Sequence, residues 1–189
     1  MSKPVRILGI AGSLRRESFN RAALRAATQI VPEGTTIDVF ELDGIPGFSQ
    51  DEEQNPPAKV VELKTKVREA DAILFVTPEY NYSIPGVLKN AIDWASRPYG
   101  DSAWNGKPAA IMGASVGTIG TARAQYHLRQ MMVFLDGRPV NKPEVMIGAA
   151  HTKFVDGKFT DEAGAKLLAD LGASLALAIR QAKAAAKVT

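Results

Sequence analysis

The stretch Gly12-Ser-Leu-Arg-Arg-Glu-Ser-Phe-Asn20 brings together side chains that can bind an anion. It follows an apolar, β-branched run over 5–10 and leads into a helical pattern of apolar residues over 19–30. A helix N-terminus favours negative charge, and serine hydroxyls with an arginine guanidinium complete such a cradle. The two common nucleotide loops, Gly-x-x-x-x-Gly-Lys-Ser/Thr and Gly-x-Gly-x-x-Gly, are both missing here. This first loop therefore predicts a phosphate site suited to a mononucleotide, with a helix start capped by Ser18 as the alternative.

Two further loops carry residues that suit a ligand. The second loop, Thr77-Pro-Glu-Tyr-Asn-Tyr-Ser-Ile-Pro-Gly86, contains two prolines that hold its main-chain N–H and C=O groups in fixed positions. Its two tyrosines offer flat apolar faces, which suits a planar heterocycle; alternatively, they simply cover the core. The third loop, 114–120, contains Ser115 and Gly117, which allow a ligand to approach the main chain. A tight glycine turn explains that third loop equally well.

Apolar runs alternate with helical patterns along the chain, which predicts how these loops are positioned. The predicted strands span 5–10, 36–42, 72–76, 108–114 and 140–147. The predicted helices span 19–30, 58–69, 86–96, 120–136 and 160–185. Fully apolar strands in this alternation indicate a parallel sheet with helices on both faces, and Pro143 places the fifth strand at an edge. In such a sheet the loops after strands one, three and four meet at the edge where ligands bind.

Composition narrows the function further. We expect 189 residues to form one domain over 1–189, and the absence of cysteine excludes disulfides, thiolate catalysis and Cys-ligated metals. Two histidines leave little for a metal site or a serine triad, and we assign no metal. The net charge of +3 is scattered, which argues against nucleic acid. With no signal-like or membrane-spanning apolar run, a soluble cytoplasmic protein is expected.

Four spaced motifs carry a resemblance to a known family. They are Gly12-Ser-Leu-Arg15 with Ser18-Phe-Asn20, Thr77-Pro-Glu-Tyr-Asn81, Leu88-Lys-Asn-Ala-Ile-Asp-Trp94 and Arg123-Ala-Gln-Tyr-His-Leu-Arg129. In this order, and over nearly the whole chain, the sequence resembles the NADPH-dependent FMN reductases of flavodoxin-like fold. Within that family it is similar to the branch of soluble quinone, chromate and azo-dye reductases. The resemblance implies a doubly wound, five-stranded parallel sheet of order 2-1-3-4-5.

The resemblance also implies an FMN site, with NADPH or NADH as co-substrate. The residues that it assigns to the phosphate are Ser13, Arg15, Ser18, Phe19 and Asn20. Those that it assigns to the isoalloxazine ring are Pro78, Glu79, Tyr80 and Asn81, together with Ser115 and Gly117 of the third loop. The chain departs from the family at Thr121, where many relatives have a second glycine after Gly120. No side chain is assigned as a catalytic acid, because the flavin supplies the redox chemistry.

The implied activity is a ping-pong transfer of electrons from NAD(P)H to small acceptors such as quinones, chromate, azo compounds or free flavin. One alternative is a flavodoxin-type electron carrier that does not oxidise nicotinamide itself; its usual strong acidity does not match a pI of 9.2. Another is a hydrolase or a non-flavin mononucleotide binder on the same fold, since fold does not fix function. The lack of a plausible triad argues against the hydrolase.

The segment Met131-Met-Val-Phe-Leu135 is apolar on every side of its predicted helix. Such a helix is either wholly buried or packed in a subunit interface. Arg123, Tyr126 and Glu144 resemble the family's polar contacts between subunits, which favours the interface. We therefore expect a homodimer or homotetramer, and the long loop over 43–57 is a further candidate for a functional loop or an interface arm.

Overall fold

The two central strands are buried at every position in the computed structural model, which describes residues 4–186. They are β3 (Ala72–Val76) and β4 (Pro108–Ala114). Along β3, Ile73 and Phe75 pack into one hydrophobic layer, whereas Leu74 and Val76 pack into the other. Because successive side chains of a strand point to opposite faces, a strand buried in this way needs a layer of helices on each side.

The sheet is parallel throughout and has the order β2-β1-β3-β4-β5, as the resemblance implies. Its outer strands are β1 (Val5–Ala11), β2 (Thr35–Phe40), β5 (Arg138–Pro139) and β6 (Val145–Ile147). Both β5 and β6 pair with β4. The prediction of one strand over 140–147 is therefore wrong in its bounds. The edge strand starts earlier and is split around Pro143, which cannot donate to a ladder.

Five helices cover the two faces, and their bounds lie within a few residues of the predicted ones. They are α1 (Phe19–Ile30), α2 (Ala58–Glu69), α3 (Gly86–Ala95), α4 (Ala122–Phe134) and α5 (Glu162–Ala185). Apolar side chains of α2, α3 and α4 join the layer that contains Phe75. Those of α1 and α5 join the layer that contains Val76. The doubly wound α/β arrangement is thus confirmed.

Short elements outside this pattern escaped the sequence analysis. A two-stranded hairpin, β7 (Phe154–Val155) and β8 (Lys158–Phe159), precedes α5. Its Phe154 packs on the Phe19 ring of α1, with the ring centroids 5.3 Å apart. The helix α5 continues through Ala185, its predicted last residue, and 187–189 lie outside the described residues. Within 4–186 no helix is both long and apolar enough to cross a membrane.

Candidate functional site: three loops at the carboxyl edge of the sheet

The first loop buries polar side chains at the start of α1. Ser13 and Ser18 are each only 4% exposed, so their hydroxyl groups need partners. The Ser18 Oγ accepts hydrogen bonds from the main-chain N–H groups of Asn20 and Arg21, at 3.2 and 3.4 Å. The Ser13 Oγ accepts one from the Arg15 N–H at 3.3 Å. Ser18 is therefore the N-cap of α1, and the loop holds two hydroxyl groups beside the positive end of that helix.

Arg15 extends from this loop at the surface, with Phe19 beneath it. Its guanidinium donates to the main-chain oxygen of Glu17, and its central carbon lies 5.9 Å from the centroid of the Phe19 ring. The first turn of α1 contains no acidic residue that could neutralise this charge. An anion at the helix N-terminus would thus meet both the helix dipole and an arginine.

Asn20 connects the first loop to the third. Its carboxamide Nδ2 donates to the main-chain oxygen of Ala114, and its Oδ1 accepts from the N–H of the same residue, both at 2.8 Å. Asn20 is 3% exposed, and Ala114 is the last residue of β4. The start of α1 is consequently fixed to the point where the third loop begins.

The second loop closes on itself in a tight two-residue turn. The main chains of Tyr80 and Ser83 exchange hydrogen bonds of 2.9 and 3.0 Å. Between them, Asn81 and Tyr82 have φ angles of +50° and +67°. Positive φ at both positions defines a type I′ turn, which asparagine tolerates better than tyrosine does. Pro78 before this turn is buried, whereas Tyr80 and Tyr82 are 52% and 66% exposed. The tyrosines therefore do not cover the core, which was the alternative.

Glu79 of this loop holds the N-terminus of α4. Its carboxylate accepts hydrogen bonds from the N–H groups of Arg123 and Ala124, at 3.0 and 3.2 Å. The Arg123 guanidinium donates to the same carboxylate at 2.6 Å and stacks 3.9 Å from the centroid of the Tyr82 ring. Thr121, the N-cap residue of α4, makes no side-chain capping bond, so Glu79 supplies that cap from another loop.

Opposing influences act on the Glu79 carboxyl group. Burial favours the neutral acid, but hydrogen bonds from the Arg123 side chain and from the Ala124 and Arg123 N–H groups favour the carboxylate, as does the Arg123 charge. The hydrogen bonds and charge outweigh burial, and the net result is a pKa for Glu79 below its ordinary value of 4.5. Glu79 therefore remains ionised at neutral pH as the anchor of the second loop.

The third loop is pinned by its main chain and exposes its central residues. The N–H of Ser115 donates to the Ile147 oxygen at 2.9 Å, and the Ser115 Oγ accepts from the Gly117 N–H at 3.2 Å. Residues 116–119 are exposed. Thr121, the departure from the family pattern, is fully buried, and its hydroxyl accepts from Gln125 at 3.0 Å. Thr121 lies behind the loop and against Gly113. A side chain at position 113 would collide with Thr121 and with the Thr77 carbonyl oxygen.

Nine of the eleven predicted site residues lie in these three loops, and the other two, Phe19 and Asn20, begin α1 directly after the first loop. The structure brings all three loops to one edge of the sheet. Direct hydrogen bonds connect neighbouring strands where the loops begin: Gly12 N–H to the Val76 oxygen and Thr77 N–H to the Met112 oxygen, both at 2.9 Å. The predicted convergence is confirmed. Sequence reasoning missed the partners that hold the loops, Ala114 for Asn20 and Arg123 for Glu79, because no local pattern marks contacts between residues so far apart in the chain.

A cavity also lies outside the three loops. It measures about 640 Å³ and is lined by α3, the end of α4 and Phe48 of the long loop. A helix that connects two parallel strands ends at the edge of the sheet opposite the three loops. The part of this cavity that lies beside the ends of α3 and α4 is therefore on the side away from the three loops. Its lysine, Lys89, is paired with Asp93 at 2.7 Å. The cavity offers an apolar surface but no helix N-terminus with adjacent hydroxyl groups, so the three loops remain the candidate site.

The three loops fit a flavin mononucleotide in outline. The cradle of hydroxyl groups, helix N-terminus and arginine suits a phosphate. The exposed tyrosines and the stiff main chain of the other two loops suit the faces and edge of a planar ring. Within residues 4–186 no group of three or more His, Cys, Asp or Glu side chains could hold a metal ion. Fold and site together define a mononucleotide-binding α/β protein of the doubly wound class.

Comparison with known proteins narrows this class. Residues 5–152 match the family described as NADPH-dependent FMN reductase. An NAD(P)H-dependent FMN reductase of Pseudomonas aeruginosa is 51% identical over 184 residues, which cover 96% of this chain and 98% of that protein. A 2-hydroxy-1,4-benzoquinone reductase of Burkholderia sp is 48% identical over 143 residues, 76% of this chain and 78% of that protein. The chain belongs to the NADPH-dependent FMN reductase family, and is therefore an oxidoreductase that uses FMN and a nicotinamide.

A solved structure agrees with this assignment. FerB, a flavoenzyme NAD(P)H:(acceptor) oxidoreductase from Paracoccus denitrificans, superimposes with a TM-score of 0.85 at 35% sequence identity. The alignment covers 94% of this chain and 98% of that one. The flavodoxin-like fold implied by the sequence motifs is thus confirmed.

Replacing Glu79 by glutamine tests its role as the remote cap of α4. We expect the free energy of unfolding at pH 7 to fall by on the order of 1 kcal/mol, because the helix loses a charged cap and Arg123 loses its partner. Since the pKa of Glu79 is lowered by folding, its stabilisation is complete above pH 4.5 and disappears as the pH falls through the lowered value. The difference between variant and native protein therefore shrinks in acid.

Urea unfolding at a series of pH values measures this difference. A matched control is Glu62→Gln on α2, whose carboxylate pairs with Lys59 at the surface and is expected to change stability little. A Glu79→Gln difference that stays constant from pH 7 to strong acid would contradict the ionised cap.

Proposed function

We propose that this protein transfers electrons from NADPH or NADH to quinones through FMN bound in the three loops. The observation that carries the proposal is the convergence of a capped helix N-terminus, an arginine and two exposed tyrosines at one edge of the sheet. The 2-hydroxy-1,4-benzoquinone reductase among the relatives supports a quinone as acceptor. Chromate, azo compounds and free flavin are further acceptors that an exposed reduced flavin could serve. The chain acts in this proposal as a single cytoplasmic domain.

The residues of the first loop would hold the phosphate. Ser13 and Ser18 offer hydroxyl groups, and Arg15 offers a charge that only has to turn from the Glu17 carbonyl toward the ligand. The Asn20 carboxamide is already bonded to Ala114, so we assign its part in this loop to position rather than to direct contact. Phe19 supports the guanidinium from below.

The other two loops would hold the ring and leave one of its faces open. Tyr80 donates its main-chain N–H to Ser83, so the second-loop N–H groups that we assign to the ring edge are those of Glu79 and Asn81. Pro78 fixes the main chain before them, and Ser115 and Gly117 approach from the third loop. Bound FMN supplies hydride acceptance from the nicotinamide and electron donation to the quinone. In this proposal the exposed Tyr80, Tyr82 and residues 116–119 would lie around the open face of the ring, which two flat substrates would use in turn.

We also propose that the protein assembles through α4 as a homodimer or homotetramer. Val133 and Phe134 are 83% and 78% exposed, which rules out the wholly buried helix and leaves an apolar face without cover in the single chain. On the same helix, Tyr126 is 54% exposed, and a hydrogen bond with Glu144 and the negative charge of that carboxylate raise the pKa of Tyr126. Arg123, already paired with Glu79, begins this surface.

Steady-state kinetics tests the proposed reaction. NADPH oxidation is measured with the FMN-loaded protein at several concentrations of 1,4-benzoquinone. Because both substrates would bind in turn at the same open face of the flavin ring, we expect parallel lines in double-reciprocal plots. Intersecting lines would contradict the shared space, and the absence of NADPH oxidation would favour an electron carrier.

Arg15→Ala tests the phosphate cradle. We expect the FMN-binding free energy to weaken by about 1.5–3 kcal/mol, roughly 10- to 150-fold in Kd, the range for a charge-assisted hydrogen bond. Fluorescence titration of the apoprotein with FMN measures the change. Arg16→Ala removes the same charge from the adjacent exposed residue and is expected to have a much smaller effect. Equal losses in the two variants would show that only the net charge of the loop matters.

Phe134→Lys tests the proposed assembly through α4. A charge placed on an apolar contact should weaken self-association, so we expect a lower sedimentation coefficient at micromolar protein than for the native chain. Leu167→Lys places the same charge on an exposed apolar position of α5, on the other face of the sheet, and should leave sedimentation unchanged. Tyr126→Ala should also loosen the assembly. Native sedimentation of both α4 variants would contradict the interface.

A further inference from the structure

Asn20 makes an unusual contact for a residue in a ligand-binding loop. Both ends of its carboxamide bond the main chain of one residue, Ala114, which is 94 positions away in the sequence. The two bonds have the same length, 2.8 Å, and the side chain is almost completely buried. A planar amide held at both ends has a single orientation, so this contact fixes two segments of main chain relative to each other.

The position of Ala114 explains why the contact is needed. Along β4, main-chain groups that face β3 are paired up to Met112, whose oxygen accepts from the Thr77 N–H. The segment that follows β3 then turns away from β4 at Pro78, which has no N–H to donate. The N–H and oxygen of Ala114 would be left buried and unpaired, which is costly. The Asn20 carboxamide supplies one acceptor and one donor, as the next residue of a neighbouring strand would.

Two parts of the proposed FMN site depend on this contact. Asn20 lies in the first turn of α1, where the Ser18 cap and the helix N-terminus form the phosphate cradle. Ala114 is the last residue of β4 and directly precedes Ser115 of the third loop, which we assign to the ring. The contact therefore determines the distance between the phosphate cradle and the loop at the ring.

We propose that Asn20 is a positioning residue that couples the phosphate half of the site to its ring half, rather than a ligand of the phosphate. This inference rests on the FMN site proposed above. A positioning role also predicts which ligands bind more weakly when the Asn20 side chain is removed. A side chain that binds the phosphate contributes only to the affinity for FMN. A side chain that couples the two halves of the site contributes equally to the affinity for riboflavin, which has the ring but no phosphate.

The chain offers a closely matched control. Asn90 of α3 also bonds main chain at both ends of its carboxamide: Nδ2 donates to the Pro46 oxygen at 2.9 Å, and Oδ1 accepts from the Phe48 N–H at 2.8 Å. That contact holds the long loop over 43–57 and lies outside the three loops. Asn90→Ala therefore removes the same type of contact without touching the proposed site.

The test compares Asn20→Ala with Asn90→Ala by titrating each apoprotein with FMN and with riboflavin. We expect Asn20→Ala to weaken both ligands by a similar factor of about 10 or more, the effect of one or two lost hydrogen bonds. We expect Asn90→Ala to bind both ligands within about twofold of the native protein. Urea unfolding should show a loss of stability in both variants, and the loss should be larger for Asn20→Ala because Asn20 is buried whereas Asn90 is only partly buried.

Three results would overturn the proposal. If Asn20→Ala weakens FMN but not riboflavin, Asn20 is a phosphate ligand. If it weakens neither, or if Asn90→Ala weakens both ligands as strongly, the contact has no specific role in the site. Failure of the native chain to bind FMN would contradict the proposed function itself, which separates that failure from the failure of the coupling.

If Asn20→Ala does not fold, the variant Asn20→Asp tests whether Asn20 couples the two halves of the site. Asn20→Asp has the same shape and retains the acceptor for the Ala114 N–H, but it cannot donate to the Ala114 oxygen. Riboflavin carries no phosphate charge for the new carboxylate to repel, so its affinity reports the altered contact with Ala114. Weaker riboflavin binding by Asn20→Asp supports the coupling, and native riboflavin affinity contradicts it.

Discussion

The candidate site depends on the parallel register of three adjacent strands. Ile10 of β1 lies beside Phe75 of β3, and Phe75 lies beside Ile111 of β4, so the three strands reach their carboxyl ends at the same edge. Each end continues into a loop that carries candidate ligand-binding residues. Because the strands are buried on both faces, a shift of register would disrupt their packing against both layers of helices, so core packing fixes where each strand ends. The fold thereby brings distant segments together, and the contact between Asn20 and Ala114 then joins the first loop to the third.

Beyond the strand ends, polar side chains take over the task of pairing the main chain. Ser18 accepts from the first N–H groups of α1, Glu79 accepts from those of α4, and Asn20 pairs with both main-chain groups of Ala114. Each satisfies groups that would otherwise be buried without a partner. The same side chains consequently fix the loops, and the surfaces left for a ligand are hydroxyl groups, main-chain N–H groups and exposed aromatic rings. In this protein, the residues that shape the site and those that would touch the flavin are partly different sets.

The sequence was sufficient to predict the sheet, its helices and the convergence of the loops, because apolar strands and helix starts are local patterns. It also predicted, from Pro143, that the fifth strand lies at an edge of the sheet. It could not predict that the Asn20 side chain bonds Ala114 or that Glu79 caps α4, because such contacts join segments that only the fold brings together. The hairpin that contains Phe154 escaped notice because two-residue strands carry no periodic signal. For α4, the sequence offered a wholly buried helix or an interface helix, and the exposed Phe134 excludes the wholly buried one.

The most direct test of the account is a crystal structure of the protein with FMN bound. We predict that the phosphate lies at the N-terminus of α1 within hydrogen-bond distance of Ser13, Ser18 or Arg15, with the ring edge against the second and third loops. We also predict that the Asn20 carboxamide stays bonded to Ala114. FMN bound instead in the cavity beside α3 and α4, or a phosphate held away from the start of α1, would contradict the account.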